Sequence, residues 1–360
     1  VVDLPVFHAG KIQTPEAAER LLREGLFDVV GMTRAQIADP HMANKARAGL
    51  TDQIRTCVGA NYCLNSVQFG RAEACIQNVA IGRERELAQH PPAETPKKVI
   101  VVGGGPGGLE AARVAALRGH RVTLVERNRD LGGQVRVFAN APRRRSMLGI
   151  VEWLEREVKR LSVEVIRGAE ATADEIAEMA PDAVVISTGG KPFRPDLPGF
   201  DAPNVFTASE VLEGKEVPGP RVLVIDDDAY YTGPAVADLL AGKGHKVEIT
   251  TRLRFIGEDL ASSTLSPILT RLFAQHVVMT PHVLARSVRE GTVTLENVYT
   301  GDQERREVDS VVLAMGNRAV DGLYHGLKGR VPELHLIGDA MAPRRLHTAM
   351  LEGARTARAI

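Results

Sequence analysis

Cys57, Cys63 and Cys75 are the only cysteines in the chain, and they fall within nineteen residues of one another, in CVGANYCLNSVQFGRAEACIQN. Thiolates are soft ligands, and so tight a group reads as an iron–sulfur or zinc site before it reads as disulfides. A fourth thiol at residue 60 would complete C-x2-C-x2-C-x11-C, but that residue is Ala60. A four-iron cluster here is therefore one protein thiolate short. The plain alternative is three unrelated cysteines buried in a loop.

A second chemistry lies in Gly103, Gly105 and Gly108, a G-x-G-x-x-G run between the apolar segment VIVV and a helix that opens at Pro106. Such glycines permit the tight turn, let backbone approach a pyrophosphate, and allow close helix–strand packing. The helix start supplies free N–H groups and a favourable dipole for the anion. Glu126 ends the next strand, 23 residues after Gly103, where a carboxylate can grip a ribose hydroxyl. LGGQ, with Gly133 and Gln134, and the strand end at Thr188 and Gly189 belong to the same expected nucleotide site, as does IGDAMAPRR with Gly338 and Asp339. In flavoproteins with two dinucleotide folds, a late Gly-Asp turn meets the ribityl-phosphate part of FAD. Asp339 can equally cap the terminal helix, or do both.

A second βαβ unit starts at Arg221 but carries Asp226, Asp227 and Asp228, then Tyr230 and Tyr231, where glycines are expected. Three carboxylates repel a pyrophosphate, and their Cβ atoms obstruct its approach. NAD(P)H binding is therefore disfavoured. Arg252 and Arg254, after the following strand, are candidates for a 2′-phosphate or simply solvated charges.

Near the start, Ala9 and Gly10 end one strand, while Gly31, Met32, Thr33 and Arg34 end the next. In a (β/α)8 barrel the loops after strands seven and eight form the usual phosphate site. Gly10, Gly31, Thr33 and Arg34 are the candidates, with Arg34 matching a phosphate in fork geometry. His8 and Lys11 lie at the same mouth, where a structural role suits His8 better than a catalytic one.

The elements that must position these residues follow the chain in order. LPVFHAG, TPEAAERLLREG, FDVVGMTR and DPHMANKARAG read as strand, helix, strand, helix, with a helix start at Thr14-Pro15-Glu16 and a stop at Gly25. Two βα units leave apolar faces open and need neighbours. The chain begins at Val1, directly ahead of a buried-looking strand, and reads as the back part of something longer. At 360 residues it can hold two or three domains, and its 45 basic and 45 acidic residues leave no nucleic-acid footprint. No apolar run reaches bilayer length. Few, closely grouped cysteines suit a reducing cytoplasm. The 34 glycines gather in loops after apolar runs, as in nucleotide-binding α/β proteins.

In this order the parts resemble the trimethylamine dehydrogenase and 2,4-dienoyl-CoA reductase family. FHAGKI and GMTRAQIADP look like the last two barrel strands with the FMN phosphate loops, CVGANYC with Cys75-Ile-Gln-Asn like the cluster segment, VVGGGPGGLEAARV like the FAD or ADP loop, and IGDAMAPRR like the closing flavin turn. The resemblance implies an α/β chain containing the last two βα units of a TIM barrel (1–50) and an iron–sulfur segment with linker (51–96). Two Rossmann-like, glutathione-reductase-like domains follow, an FAD- or ADP-binding one (97–215 with 316–360) and a degenerate one (216–315). Cys57, Cys63 and Cys75 become cluster ligands. A non-cysteine ligand or water completes a [4Fe–4S] cluster, or the cluster is [3Fe–4S], or the site is empty; Asn61 and Tyr62 are the nearest polar side chains.

The degenerate second loop and Ala60 resemble the N-methylproline demethylase-like branch. They imply oxidative demethylation of a small N-methylated amine or amino acid, with electrons leaving through the cluster to an acceptor such as an electron-transfer flavoprotein, in a cytoplasmic homo-oligomer. The rival within this class is an NADPH-dependent enoyl-CoA reductase. Outside it stands a non-catalytic nucleotide-binding electron-transfer subunit. No catalytic residue is assigned, because the resemblance places those residues in barrel strands outside this chain.

Overall fold

The computed structural model describes residues 3–360; Val1 and Val2, within the expected barrel piece 1–50, lie outside them. Lys98–Val102 is apolar on both faces and accordingly sits in mid-sheet, where a parallel strand is covered on both sides. The five-stranded sheet runs Glu333–Leu336, Ala183–Ile186, Lys98–Val102, Arg121–Glu126, Glu164–Arg167, with every neighbouring pair parallel. Helices Pro106–Leu117 and Leu346–Ala359 cross in close contact on this fold. Their glycines allow it, since a Cβ on Gly353 would stand 2.3 Å from the Gly107 carbonyl oxygen.

The second fold repeats the plan. Its sheet runs Val278–Thr280, Lys246–Thr250, Arg221–Asp226, Ser310–Ala314, Val205–Thr207, again all parallel, with the first strand of its βαβ unit in the middle. A three-stranded antiparallel sheet, Val283–Arg289, Thr292–Asn297 and Gln303–Glu307, is attached to it. The expected boundary at residue 215 needs correction. Val205–Thr207 pairs with Ser310–Ala314, and Ala208, Val211 and Leu212 pack into the second core, so this fold starts before residue 205. The chain crosses between the folds along an antiparallel ribbon of Gly190–Pro192 and Asn317–Ala319.

At the amino-terminal end, Phe7–His8 and Val29–Val30 form a two-stranded parallel pair. The Thr14 hydroxyl caps helix Pro15–Arg23 by accepting from the Ala17 amide, as its sequence predicts. The segment after the second strand differs from expectation. Thr33 and Arg34 belong to a helix, Thr33–Ala38, and the second helix is only Met42–Arg47. Pro40 holds Asp39 extended and divides them. Leu4 and Phe7 are 74% and 73% exposed, consistent with apolar faces left open. Residues 51–96 are more than a linker, since Val58, Ala60, Val79 and Leu87 join the first fold's core. Among the described residues no helix is long and apolar enough to cross a membrane.

Candidate functional site

A cavity of about 850 Å³ opens at the glycine turn and runs between the two folds. Gly103, with φ +109°, admits no side chain, because a Cβ there would stand 2.2 Å from the Ser187 carbonyl oxygen. At Gly108 a Cβ would meet the Gly103 carbonyl oxygen at 1.9 Å. Gly105 plays a different part: it lines the cavity, and a Cβ on it would meet nothing within 4 Å. The turn thus leaves a bare cradle at the start of helix Pro106–Leu117, shaped for close backbone approach of an anion. Gly133 and Gly189 line the same cavity.

The polar candidates gather around this cradle, with some changes of role. Glu126 lines the cavity, but its carboxylate also braces the turn, accepting from the Gly104 amide at 2.7 Å and the Asn128 amide at 2.8 Å. Gln134 donates to Asp339 at 3.1 Å and accepts from Asn317 at 2.8 Å. Asp339 accepts from the Arg344 amide at 3.1 Å, whereas the N-cap of the terminal helix is Arg345, which makes no side-chain cap bond. The capping role considered for Asp339 therefore gives way to bracing the loop before the helix. Thr188 donates its hydroxyl to the Val320 carbonyl, so only its backbone is free to serve a cofactor.

The acidic loop of the second fold is occupied by the protein itself. Asp226 is wholly buried, and burial, then the neighbouring Asp228, pushes its carboxyl up to about 8. Asp228 accepts from the Arg345 guanidinium at 2.8 Å, and Asp259 does so at 3.0 Å. Arg345 also lies over the Tyr230 ring, 4.1 Å from its centroid. Arg252 and Arg254 are not free for a 2′-phosphate, being paired with Asp227 and Glu258. Tyr230 and Tyr231 of this loop line the cavity, as do Tyr62 of the cysteine segment and Phe138 of helix Gln134–Phe138, and Arg144 lies over Tyr231 at 4.1 Å.

The cysteine segment meets the cavity from a third side, where Ala60, Tyr62 and Ile76 line it. The Tyr231 hydroxyl donates to the Ala60 carbonyl at 3.2 Å. Asn61 accepts from Arg34 at 3.3 Å, and Tyr62 stacks on His347 with centroids 4.8 Å apart. His347 in turn is bound through Nδ1 to the Cys75 carbonyl at 3.2 Å. Since a carbonyl only accepts, Nδ1 carries the proton. Burial pushes the Cys63 and Cys75 thiols up, so ionising them takes a metal or a cation close by.

Among the described residues no three His, Cys, Asp or Glu side chains converge on one point as a single metal ion would require. The zinc alternative therefore finds no support in this geometry. A cluster asks for a different arrangement, with each thiolate on its own iron. One orphaned group fits it. The Nε of Arg55 is closed to water and lacks a hydrogen-bond partner, while its Nη1 donates to the Gln77 carbonyl, two residues past Cys75. A half-buried cation with no carboxylate paired to it suits a neighbouring anion. The donor set and this cation fit a thiolate-held cluster.

At the barrel-like end, a Cβ on Gly10 would press on the His8 ring at 3.0 Å, and one on Gly31 would meet Ala9 at 2.9 Å. His8 stacks on Phe27 with centroids 4.2 Å apart, which is a packing role. Thr33 is exposed at the start of its helix. Reading the sequence missed Arg55, Arg144, Arg345 and His347 as parts of the site. Arg345 stands inside the IGDAMAPRR run and Arg55 two residues before Cys57, but only the fold supplies their partners.

Comparison with known proteins bears on this geometry. The model of the pyridine nucleotide-disulphide oxidoreductase family matches residues 57–165 and 97–353. The chain is 41% identical to N,N-dimethylglycine/sarcosine dehydrogenase of Chromohalobacter salexigens, over 99% of this chain and 57% of that protein. It is 35% identical to a probable N-methylproline demethylase of Rhizobium meliloti, over 98% of this chain and 56% of that one. The solved structure of the 6-hydroxypseudooxynicotine amine oxidase of Pseudomonas geniculata superposes with a TM-score of 0.94 at 29% identity, covering 99% of this chain and 56% of that chain. The chain thus spans just over half the length of the curated relatives it matches.

Proposed function

The chain belongs to the pyridine nucleotide-disulphide oxidoreductase family of flavin oxidoreductases, and from that premise we propose that it is the electron-handling part of an enzyme that oxidatively demethylates a small N-methylated amine or amino acid. The observation that carries this reading is one shared cavity. The glycine cradle opens it, the cysteine segment forms one wall, and Tyr230 and Tyr231 of the second fold line it as well. Gly103, Gly105, Pro106, Gly108, Glu126, Gly133, Gln134, Thr188, Gly189, Gly338 and Asp339 hold the nucleotide, FAD or ADP. Cys57, Cys63 and Cys75 hold an iron–sulfur cluster. Gly10, Gly31, Thr33 and Arg34 contribute to an FMN phosphate site. When bound, the flavins supply two-electron acceptance and the cluster one-electron passage.

The chain's own residues weigh against the reductase alternative. Asp226 to Asp228 stand where a pyridine nucleotide's pyrophosphate needs bare backbone, and Arg345 holds Asp228 in that place. Electrons therefore leave for an external acceptor, such as an electron-transfer flavoprotein, and do not arrive from NADPH. The test is anaerobic mixing of the parent protein with N-methylated amines and, separately, with NADPH, monitored by flavin absorbance. Bleaching by the amine alone is expected; prompt bleaching by NADPH would overturn the proposal. Absence of flavin absorbance would favour the non-catalytic electron-transfer subunit.

A further inference from the structure

Arg55 stands two residues before Cys57, and its side chain turns toward the stretch that follows Cys75. Nη1 donates to the Gln77 carbonyl at 3.1 Å, and Gln77 returns a bond from Nε2 to the Thr56 carbonyl at 2.7 Å. The two stretches that carry Cys57 and Cys75 are thereby clasped together. The guanidinium lies over Trp153, 3.9 Å from the ring centroid, and Trp153 is fixed by its own bond to the Gln53 carbonyl at 3.1 Å. Arg113 approaches the same ring but is neutralised by a two-pronged pair with Glu110, both bonds 2.8 Å long. Arg55 has no such neighbour. Asp39 accepts from its backbone amide at 2.9 Å, and the Asp39 carboxylate pairs with Lys45 at 2.6 Å. Among the described residues, then, this half-buried guanidinium is tied to the stretch two residues past Cys75 and is paired with no carboxylate.

We propose that Arg55 is a positioning residue whose fixed positive charge raises the reduction potential of the cluster held by Cys57, Cys63 and Cys75, so that the cluster accepts electrons readily. This rests on the reading of those cysteines as cluster ligands. Adding one electron to the cluster adds one negative charge, and a cation held nearby in a low-dielectric setting favours that reduced state. Lysine and arginine both provide the charge, but glutamine does not. The experiment is an EPR-monitored redox titration, with dithionite as reductant, of the parent holoprotein, R55Q and R55K, alongside iron and sulfide analysis. Iron and sulfide in the parent, a lower midpoint potential in R55Q and a near-parental one in R55K are expected. A parent without iron would defeat the cluster reading itself. Full iron with an unchanged potential in R55Q would overturn only the role of Arg55. If R55Q loses its iron, R55K decides: iron and potential retained support the proposal. Loss of iron or a lowered potential in R55K overturns it, because the bond to Gln77 and not the charge would then be the cause.

Discussion

The molecule contains one fold twice, and the two copies have treated the same turn in opposite ways. In the first, the residues after the central strand are glycines: Gly103 and Gly108 lie too close to backbone for any side chain, and Gly105 leaves open space toward the cavity. In the second, the corresponding residues are aspartates and tyrosines. One aspartate is buried, one pairs with an arginine of its own fold, and one pairs with Arg345 from the first fold. Four strands take the same order in both, and only the edge strand differs, coming last in the chain in the first fold and first in the second, so the shared topology does not by itself decide whether a nucleotide binds. What decides is whether the turn is bare backbone or carries its own charges. The second fold has become a wall of the first fold's site, contributing Tyr230, Tyr231 and the loop that receives Arg345.

The sharpest way to break this comparison is to fill the open turn. G108A drives a methyl group into the Gly103 carbonyl, a distortion that costs about 1–3 kcal/mol and displaces the cradle. Flavin absorbance per protein should fall to below about a tenth of the parent's, a loss of roughly 1.4 kcal/mol or more in binding. D227A, at the matching turn of the second fold, should leave flavin content unchanged; equal losses would mean that both turns bind.

Next in size is R345A, which frees Asp228 and Asp259 together and removes the stack on Tyr230. It should destabilise the protein by about 1–3 kcal/mol in denaturant unfolding. An unchanged midpoint would show that the folds do not depend on this tie.

Asp226 gives the comparison a pH signature. Its carboxyl keeps a proton up to about pH 8 in the folded state but releases it near its ordinary 3.8 once unfolded. Between those values the unfolded chain binds fewer protons, so this group's contribution to stability falls as pH rises and is lost above about 8. D226N should therefore gain on the parent across that window, by roughly 5 kcal/mol at pH 9 at most. Parallel stability curves for the two would refute the assignment.

The smallest effect belongs to R252A. Its partner Asp227 is the only contact it loses, and the arginine is 55% exposed, so stability should change by less than about 1 kcal/mol. Isothermal titration should also detect no change toward NADPH. A loss of NADPH binding would mean that the second fold takes the nucleotide after all.

How far the sequence disclosed this site depended on the distance between partners. The glycine turn, its helix and Glu126 fall within about two dozen residues, and local rules for strand, turn and helix suffice there. The acid run in the second fold was equally plain, because missing glycines are visible without a structure. The lock between Asp228 and Arg345 spans 117 positions and the bond from His347 to Cys75 spans 272, and no local pattern predicts either. That the Thr188 hydroxyl turns to a residue 132 positions away is equally beyond any local pattern. Helix Thr33–Ala38 was missed for a nearer reason: Thr33 and Arg34 were read as the end of the strand, and the next helix was begun at Asp39 and Pro40.

The close crossing of helices Pro106–Leu117 and Leu346–Ala359 sets an order of events during synthesis. Gly107 and Gly353 touch, yet 246 positions separate them, and the whole second fold is translated in between. At about 5–20 residues per second, the glycine-turn helix waits on the order of 10–50 seconds for the surface that buries it. The second fold can be complete before the first is closed. The copy with the acidic turn is thus the earlier to finish on the ribosome, and the copy with the glycine turn is finished around it.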